Sequence, residues 1–543
     1  MKIKYLKGNF EFTINTEGLT GIRSSFIKRD ILTIAIVLSF LSLAFFIYYY
    51  TNGIGLAYND ARSHLDIGRR VVEGLKPGLA QIGSVWLPLP HFLMIPTIWN
   101  DFFWHSGLSG AIQSMVSFVA CGILIYLFLK EIGLSYFGRI FGLLIFAVNL
   151  NILYLQSTAM TELTLLATMT AGAYFILRWF KKEQLFDLLQ SAFWIMISTA
   201  IRYDGWFLFV FTALTLGIYL LRRKGWKIAQ GTVILFATLA GFGIVLWFLW
   251  NLLIFNDPFY FIFGPFSAHA QQQQIFEAGE LLTKGNLVFS FLVYLYAVFY
   301  NTYTTIAILG FLGMVLFWKD KQIPGNIKVA SLVLLAPLVF NVLALYFGHS
   351  VLFVEGLFPY TWFNVRYGMM LIPTIAIFCG YLIEKSGALK WIIISIIGFT
   401  ISVSYNGKDI VTIDDALIGA SGKNVAEVST WLRGNVSGEQ GYVLISAASH
   451  DAIIFSSGLP MKSFIHEGTG KYWENAVENP DKWAKWIVMR TNDTSDWTFR
   501  EISDAPGFAN FELVDHYPFA DIYQLKKDYW GSVITTPVIG KQK

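Results

Sequence analysis

The stretch YNDARSHLDIGRRVVEGLKPGLAQIGSVWLPLPH, residues 58 to 91, crowds Asp60, Arg62, His64, Asp66, Arg69, Arg70 and Glu73 directly after ILTIAIVLSFLSLAFFIYYY, which carries no charge. A carboxylate at Asp60 stands close to where lipid headgroups meet water, where a charge costs little. Taken alone it also reads as a solvated turn residue. Glu162 interrupts an apolar run in QSTAMTEL, and an ionisable group at membrane depth is costly unless it faces a cavity or a partner. Arg202 and Asp204 in IRYDGW and Arg366 in WFNVRYGMMLIP divide other apolar runs. Guanidinium groups over one cavity would suit the phosphate oxygens of an anionic lipid headgroup, whereas isolated ones serve as interfacial anchors. His64, Trp86 and His91 are further candidate substrate-binding groups in the first loop. The histidines, His269 and His349 included, lack metal-ligand spacing. A divalent metal is left open, and no other cofactor is called for.

Elements that could position these residues follow from composition. Of 543 residues, 55% are hydrophobic and only 14% charged, against roughly 25% charged in soluble domains. Eleven runs are long and apolar enough to span a hydrocarbon core of about 30 Å: 31–51, 109–130, 137–156, 160–180, 186–202, 204–221, 229–254, 302–318, 327–347, 367–384 and 390–404. The break at NLNILYLQS predicts short or broken helices in the third to fifth runs. Residues 284–300 read either as an extra span or as a helix on the surface, and the second is expected because a full span there would put the basic KDKQIPGNIK loop outside. Ala61, Leu65, Gly68, Val72 and Leu75 recur at helical spacing, predicting a helix in the interface.

Alternate gaps between the runs are basic, including Lys130 and Arg139, Arg178 to Lys182, Arg222 to Lys227, Lys319 to Lys328, and Lys385 with Lys390. Such gaps stay cytoplasmic, which places residues 1–30 inside and, with an odd number of spans, residues 405–543 outside. Three units follow: the cytoplasmic segment 1–30, a transmembrane part 31–404, and an extracytoplasmic α/β domain 405–543. In the last, 441–449 and 485–491 read as buried strands, while AEVSTWLRG and NPDKWAKW read as helices. Cys121 and Cys379 lie inside apolar runs and imply no disulfide framework. Asn435 and Asn492 fit a short glycosylation pattern. Nothing in the charge pattern points to nucleic acid.

The order YNDARSH, PGLAQIGSVWLPLPH, MTEL, IRYDGW and NVRYG resembles the GT-C superfamily of polytopic membrane glycosyltransferases over about residues 30–385. Within it the resemblance is to the family 39/83-like enzymes, relatives of protein O-mannosyltransferases and of the aminoarabinose transferase. It implies transfer of a sugar, mannose among the candidates, from a dolichyl or undecaprenyl phosphate donor to a protein or glycolipid acceptor outside the membrane, with inversion. It implies Asp60 as base and Arg202 and Arg366 as phosphate-binding groups. The chain departs from the protein mannosyltransferases in having Asp60-Ala61 where they carry an Asp-Glu pair, and it has no DxD motif. Two other classes fit the composition: a transporter or flippase of lipid-linked substrates, and a non-catalytic membrane scaffold with an outer binding domain. Against the transporter stand the lack of an inverted repeat of broken helices and the one-sided soluble domain.

Overall fold

The computed structural model describes residues 29–536 apart from 266, 359, 360, 420, 421 and 423. The basic segment expected inside lies almost wholly outside the described residues. Helix α1 (Arg29–Thr51) is followed by α2 (Asn59–Val72), α3 (Leu89–Ile98), α4 (Leu108–Glu131), α5 (Tyr136–Ala147) and α6 (Leu150–Leu155). Next come α7 (Glu162–Lys182), α8 (Leu185–Thr199), α9 (Asp204–Lys224), α10 (Trp226–Ala240), α11 (Phe242–Phe255), α12 (Leu287–Thr302) and α13 (Thr304–Lys319). Helical segments over Gly325–Tyr346 (α14) and Val365–Lys385 (α15, opening in a 3-10 turn) precede α16 (Lys390–Gly407) and α17 (Val411–Leu417).

Among the described residues seven helical segments are long and apolar enough to cross a membrane, and two bent pairs, α10 with α11 and α12 with α13, raise the count to nine. With the short α5 and α8 they account for the eleven runs expected from hydropathy. The broken run at 137–156 has a local cause: the Asn149 side chain accepts from Ile152 N at 3.0 Å and starts α6 as a new helix. The run 284–300, expected as a surface helix, falls in α12, which is half-buried, turned 109° from α13 and together with it apolar enough to form one bent span; the bend comes at Tyr303, whose φ of 63° is unusual for a bulky residue. Glycines let α5 and α15 approach closely. A Cβ on Gly380 would stand 2.9 Å from the Gly138 carbonyl, a small-residue contact suited to lipid, where helices gain little from hydrophobicity.

The basic gaps gather at one end of the bundle. Lys181 pairs with Glu131 at 3.1 Å, Lys385 with Asp320 at 3.2 Å, and Lys224 with Glu183, near the Asp30 end of α1, where Tyr126 donates to Asp30 at 2.8 Å. The other end of α1 leads into α2 and the α/β unit. That unit contains α18 (Ala426–Val436), β1 (Val443–Ile445), α19 (Ala447–Ser457), β2 (Phe464–Ile465), β3 (Trp486–Met489), β4 (Phe511–Tyr517) and β5 (Ala520–Leu525). Strand order is β2-β1-β3-β5-β4. β1 runs parallel to β2 and β3, with Val443 opposite Phe464 and Trp486, while β5 is antiparallel to β3 and β4.

Helix α2 exists as the apolar spacing predicts, yet it does not lie exposed in an interface. Ala61, Ser63, His64, Leu65, Asp66, Gly68 and Arg69 are all buried, because the bundle packs on one side and α19 on the other. Asp451 of α19 accepts from Ser63 and stands 3.5 Å from the Asn59 amide. One apolar core runs from α1 through the bundle into the α/β unit.

Candidate active site

Arg366 is the hub of the site. It stands in the 3-10 turn that opens α15, and Gly368 two residues later presses so tightly on the Ala297 and Val298 backbone of α12 that a Cβ there would overlap it. Asn301 of α12 fixes the same turn by donating to the Val365 carbonyl at 2.7 Å. From this anchored backbone the guanidinium, only 3% exposed, fans out over three carboxylates. Nη2 donates to Asp60 at 2.5 Å, Nε donates to Glu162 at 3.0 Å, and Nη1 lies 3.8 Å from Asp415. Tyr58 stacks its ring 4.9 Å from the guanidinium carbon and donates its hydroxyl to Asp415 at 2.9 Å.

Arg202, in the turn between α8 and α9, joins the cluster through Glu162 at 3.2 Å and Asp204 at 3.4 Å. Tyr367 lies under both guanidinium groups, 4.9 Å from Arg202 and 5.4 Å from Arg366. Asp60 occupies the first turn of α2, where unpaired backbone N–H groups favour a carboxylate. Its side chain keeps 32% exposure, whereas Glu162 has none. That difference sorts the acids: Asp60 faces open space, and Glu162 braces both arginines from behind.

The open space is a cavity of about 740 Å³. It is lined by Asp60, His64, Arg202, Asp204 and Arg366, by further polar groups including His269, Gln272, Asn341 and His349, and by apolar and aromatic side chains such as Phe207, Phe261 and Phe347. Trp86 lines it too and packs against His64 with ring centroids 4.2 Å apart and the planes tilted by 36°. His91 stands behind, sharing a hydrogen bond of 2.9 Å between its Nε2 and His64 Nδ1. Burial, with Arg202 and Arg366 nearby, pushes the His64 imidazole down to about 3, and burial beside His64 holds His91 well below its usual value. Both rings are therefore neutral near pH 7.

Asp60, His64, Trp86, Arg202, Asp204 and Arg366 thus converge on one cavity, while Glu162 and His91 touch residues that line it. Among the described residues no three His, Cys, Asp or Glu side chains form a metal site, so the divalent metal left open by the sequence finds no donor set there. Sequence reasoning missed Tyr58, Tyr367 and Asp415. The acidic pair Asp414-Asp415 just past the last apolar run was the available signal for the third.

The arrangement of helices, with a long loop after the first span and an α/β unit after the last, is a GT-C-like membrane fold. The chain superposes on ArnT from Cupriavidus metallidurans bound to undecaprenyl phosphate with a TM-score of 0.56 at 10% identity, covering 95% of this chain and 99% of that one. Against the apo state of the same protein the values are 0.51, 11%, 94% and 99%. The archaeal oligosaccharyltransferase AglB from Archaeoglobus fulgidus, in complex with an inhibitory peptide and a dolichol-phosphate, gives a TM-score of 0.48 at 11% identity over 86% of this chain and 70% of that one. No family model matches the sequence, and no curated protein does either.

Proposed function

We propose that the protein is an integral membrane glycosyltransferase that moves a sugar from a polyprenyl-phosphate donor to an acceptor hydroxyl at the cavity, with inversion. One observation carries the reading: a partly exposed carboxylate, Asp60, sits against the Arg366 guanidinium, and both line, with Arg202, a cavity whose walls are mostly apolar. The fold it shares with a protein solved with undecaprenyl phosphate supports a lipid-phosphate donor.

In this reading the acceptor hydroxyl gives its proton to Asp60 as its oxygen bonds to the anomeric carbon. The bond from that carbon to the phosphate oxygen breaks, and its electron pair leaves with the polyprenyl phosphate. Arg366 and Arg202 stabilise the charge that accumulates there, more in the transition state than in the bound donor. Glu162 and Asp204 keep the two guanidinium groups in place, and Trp86 with His64 offers a flat face and a neutral polar group to the sugar. A single displacement inverts the anomeric centre. The acceptor is a protein or a glycolipid, and mannose is a first sugar to try.

Orientation follows the same reading. The paired basic loops support a cytoplasmic location for that end, with the site and the α/β domain of residues 405–543 outside the cell membrane. The test is a transfer assay with purified protein, labelled dolichyl- and undecaprenyl-phosphate sugars, and a panel of peptide and glycolipid acceptors. Label in an acceptor is the expected result. Equal movement of intact donor across vesicles, with no acceptor labelled, would make the protein a transporter instead.

A further inference from the structure

Asp415 stands beyond the last membrane-crossing run, in α17, yet it is fully buried beside Arg366. Helix α17 reaches this place because Asn151 of α6 pins its first turn. The Asn151 side-chain oxygen, Oδ1, accepts from both Thr412 N at 3.0 Å and Thr412 Oγ1 at 2.8 Å. Asn151 in turn donates to the Asn301 carbonyl at 3.3 Å, and Asn301 is the residue that holds the Val365 carbonyl next to Arg366. Backbone and side chain of Arg366 are thereby tied to one buried polar belt.

Neither Asp415 nor Tyr58 lines the cavity. The Tyr58 hydroxyl holds Asp415 Oδ2, the Tyr58 ring lies under the guanidinium, and Asp415 attracts Nη1 from 3.8 Å. Among the described residues Arg366 Nη1 makes no hydrogen bond, although it is buried. Nη1 is therefore drawn toward Asp415 without a hydrogen bond to it. A carboxylate at that distance attracts the guanidinium electrostatically, and in a buried setting such an attraction is strong enough to favour one orientation of its plane.

We propose that Asp415, acting with Tyr58, is a positioning residue that sets the guanidinium plane of Arg366 and so couples the segment after the last span to phosphate binding. The inference rests on the reading of Arg366 as a phosphate-binding group. It assigns a task to the start of the chain's outer part: closing the site from behind. A misplacement of a substrate-orienting group by about 1 Å is enough to cost 10²-fold in rate.

The experiment uses full-length protein in detergent with Asp415→Asn, which keeps shape and the Tyr58 acceptor while removing charge, and Tyr58→Phe, which keeps the ring. Asp415→Asn is expected to lower kcat by about 10²-fold, with donor KM changed by no more than about two-fold. In an Arg366→Lys background the same substitution should add no further loss. Equal losses in both backgrounds, or wild-type kcat in both variants, would overturn the proposal. A second readout needs no transfer at all: phenylglyoxal modification of Arg366, followed by peptide mass spectrometry on folded protein, should be faster in Asp415→Asn than in wild type. Unchanged reactivity overturns the positioning role even if the wild type moves no sugar, and in that case the failure of transfer counts against the glycosyltransferase reading alone.

Discussion

Replacing Arg366 by lysine separates a phosphate-binding fork from a simple membrane anchor. The guanidinium makes two charge-assisted hydrogen bonds, to Asp60 at 2.5 Å and Glu162 at 3.0 Å, from two different nitrogens. One ammonium cannot reproduce that fork, so the variant loses at least one such bond, worth about 1.5–3 kcal/mol. The fold should survive the loss, because no buried acid is left alone. Glu162 retains Arg202 at 3.2 Å, Asp415 retains the Tyr58 hydroxyl at 2.9 Å, and Asp60 has water, being 32% exposed. Catalysis is more sensitive. Removing one preorganised donor from a developing oxyanion costs roughly 10²-fold in kcat, or about 2.7 kcal/mol of barrier. Because the phosphate gains charge as the glycosidic bond breaks, the loss should fall on kcat more than on donor KM. Donor-saturation kinetics on protein shown to be folded by gel filtration measures both. Wild-type kcat in Arg366→Lys would refute the fork, and a raised KM with unchanged kcat would refute its selectivity for the transition state.

Two other expectations concern stability and orientation. His64 has its folded pKa lowered to about 3 from an ordinary 6.5, so its contribution to stability is complete above pH 6.5 and lost as pH falls toward 3, by at most about 1.4 kcal/mol per pH unit; thermal melts of His64→Gln should show a shallower acid limb than wild type, and identical limbs would contradict this. Ser437 is exposed in the α/β domain and both native cysteines are buried, so Ser437→Cys should react with a membrane-impermeant maleimide on intact cells; labelling only after lysis would reverse the orientation.

The part of this site that could be read in the sequence consists of charges in costly places. Asp60, Glu162, Arg202 and Arg366 each break or border an apolar run, where an ionisable group demands a partner or a cavity, and the structure gathers all four. Asp415 escaped the same logic because it follows the last apolar run, where charges are ordinary. The burial of α2 was equally hidden, since the helix that covers its polar face, α19, comes nearly 400 residues later. In the α/β unit, β1 ends at Ile445 because Ser446 accepts from Ser449 N and starts α19, which shortens the strand expected over 441–449. The β4–β5 hairpin turns on Pro518-Phe519, which lacks the Asn-Gly or Asp-Gly signal of tight hairpins.

The central claim is that Asp60 takes the acceptor proton in a single displacement from a polyprenyl-phosphate sugar. Transfer by wild type and Asp60→Asn, with the anomeric configuration of the product read by NMR, tests it most directly. Asparagine keeps size and hydrogen bonding without basicity, so turnover should fall by roughly 10²-fold or more, and the wild-type product should be inverted relative to the donor. An Asp60→Asn variant as fast as wild type, or a product of retained configuration, would contradict the account.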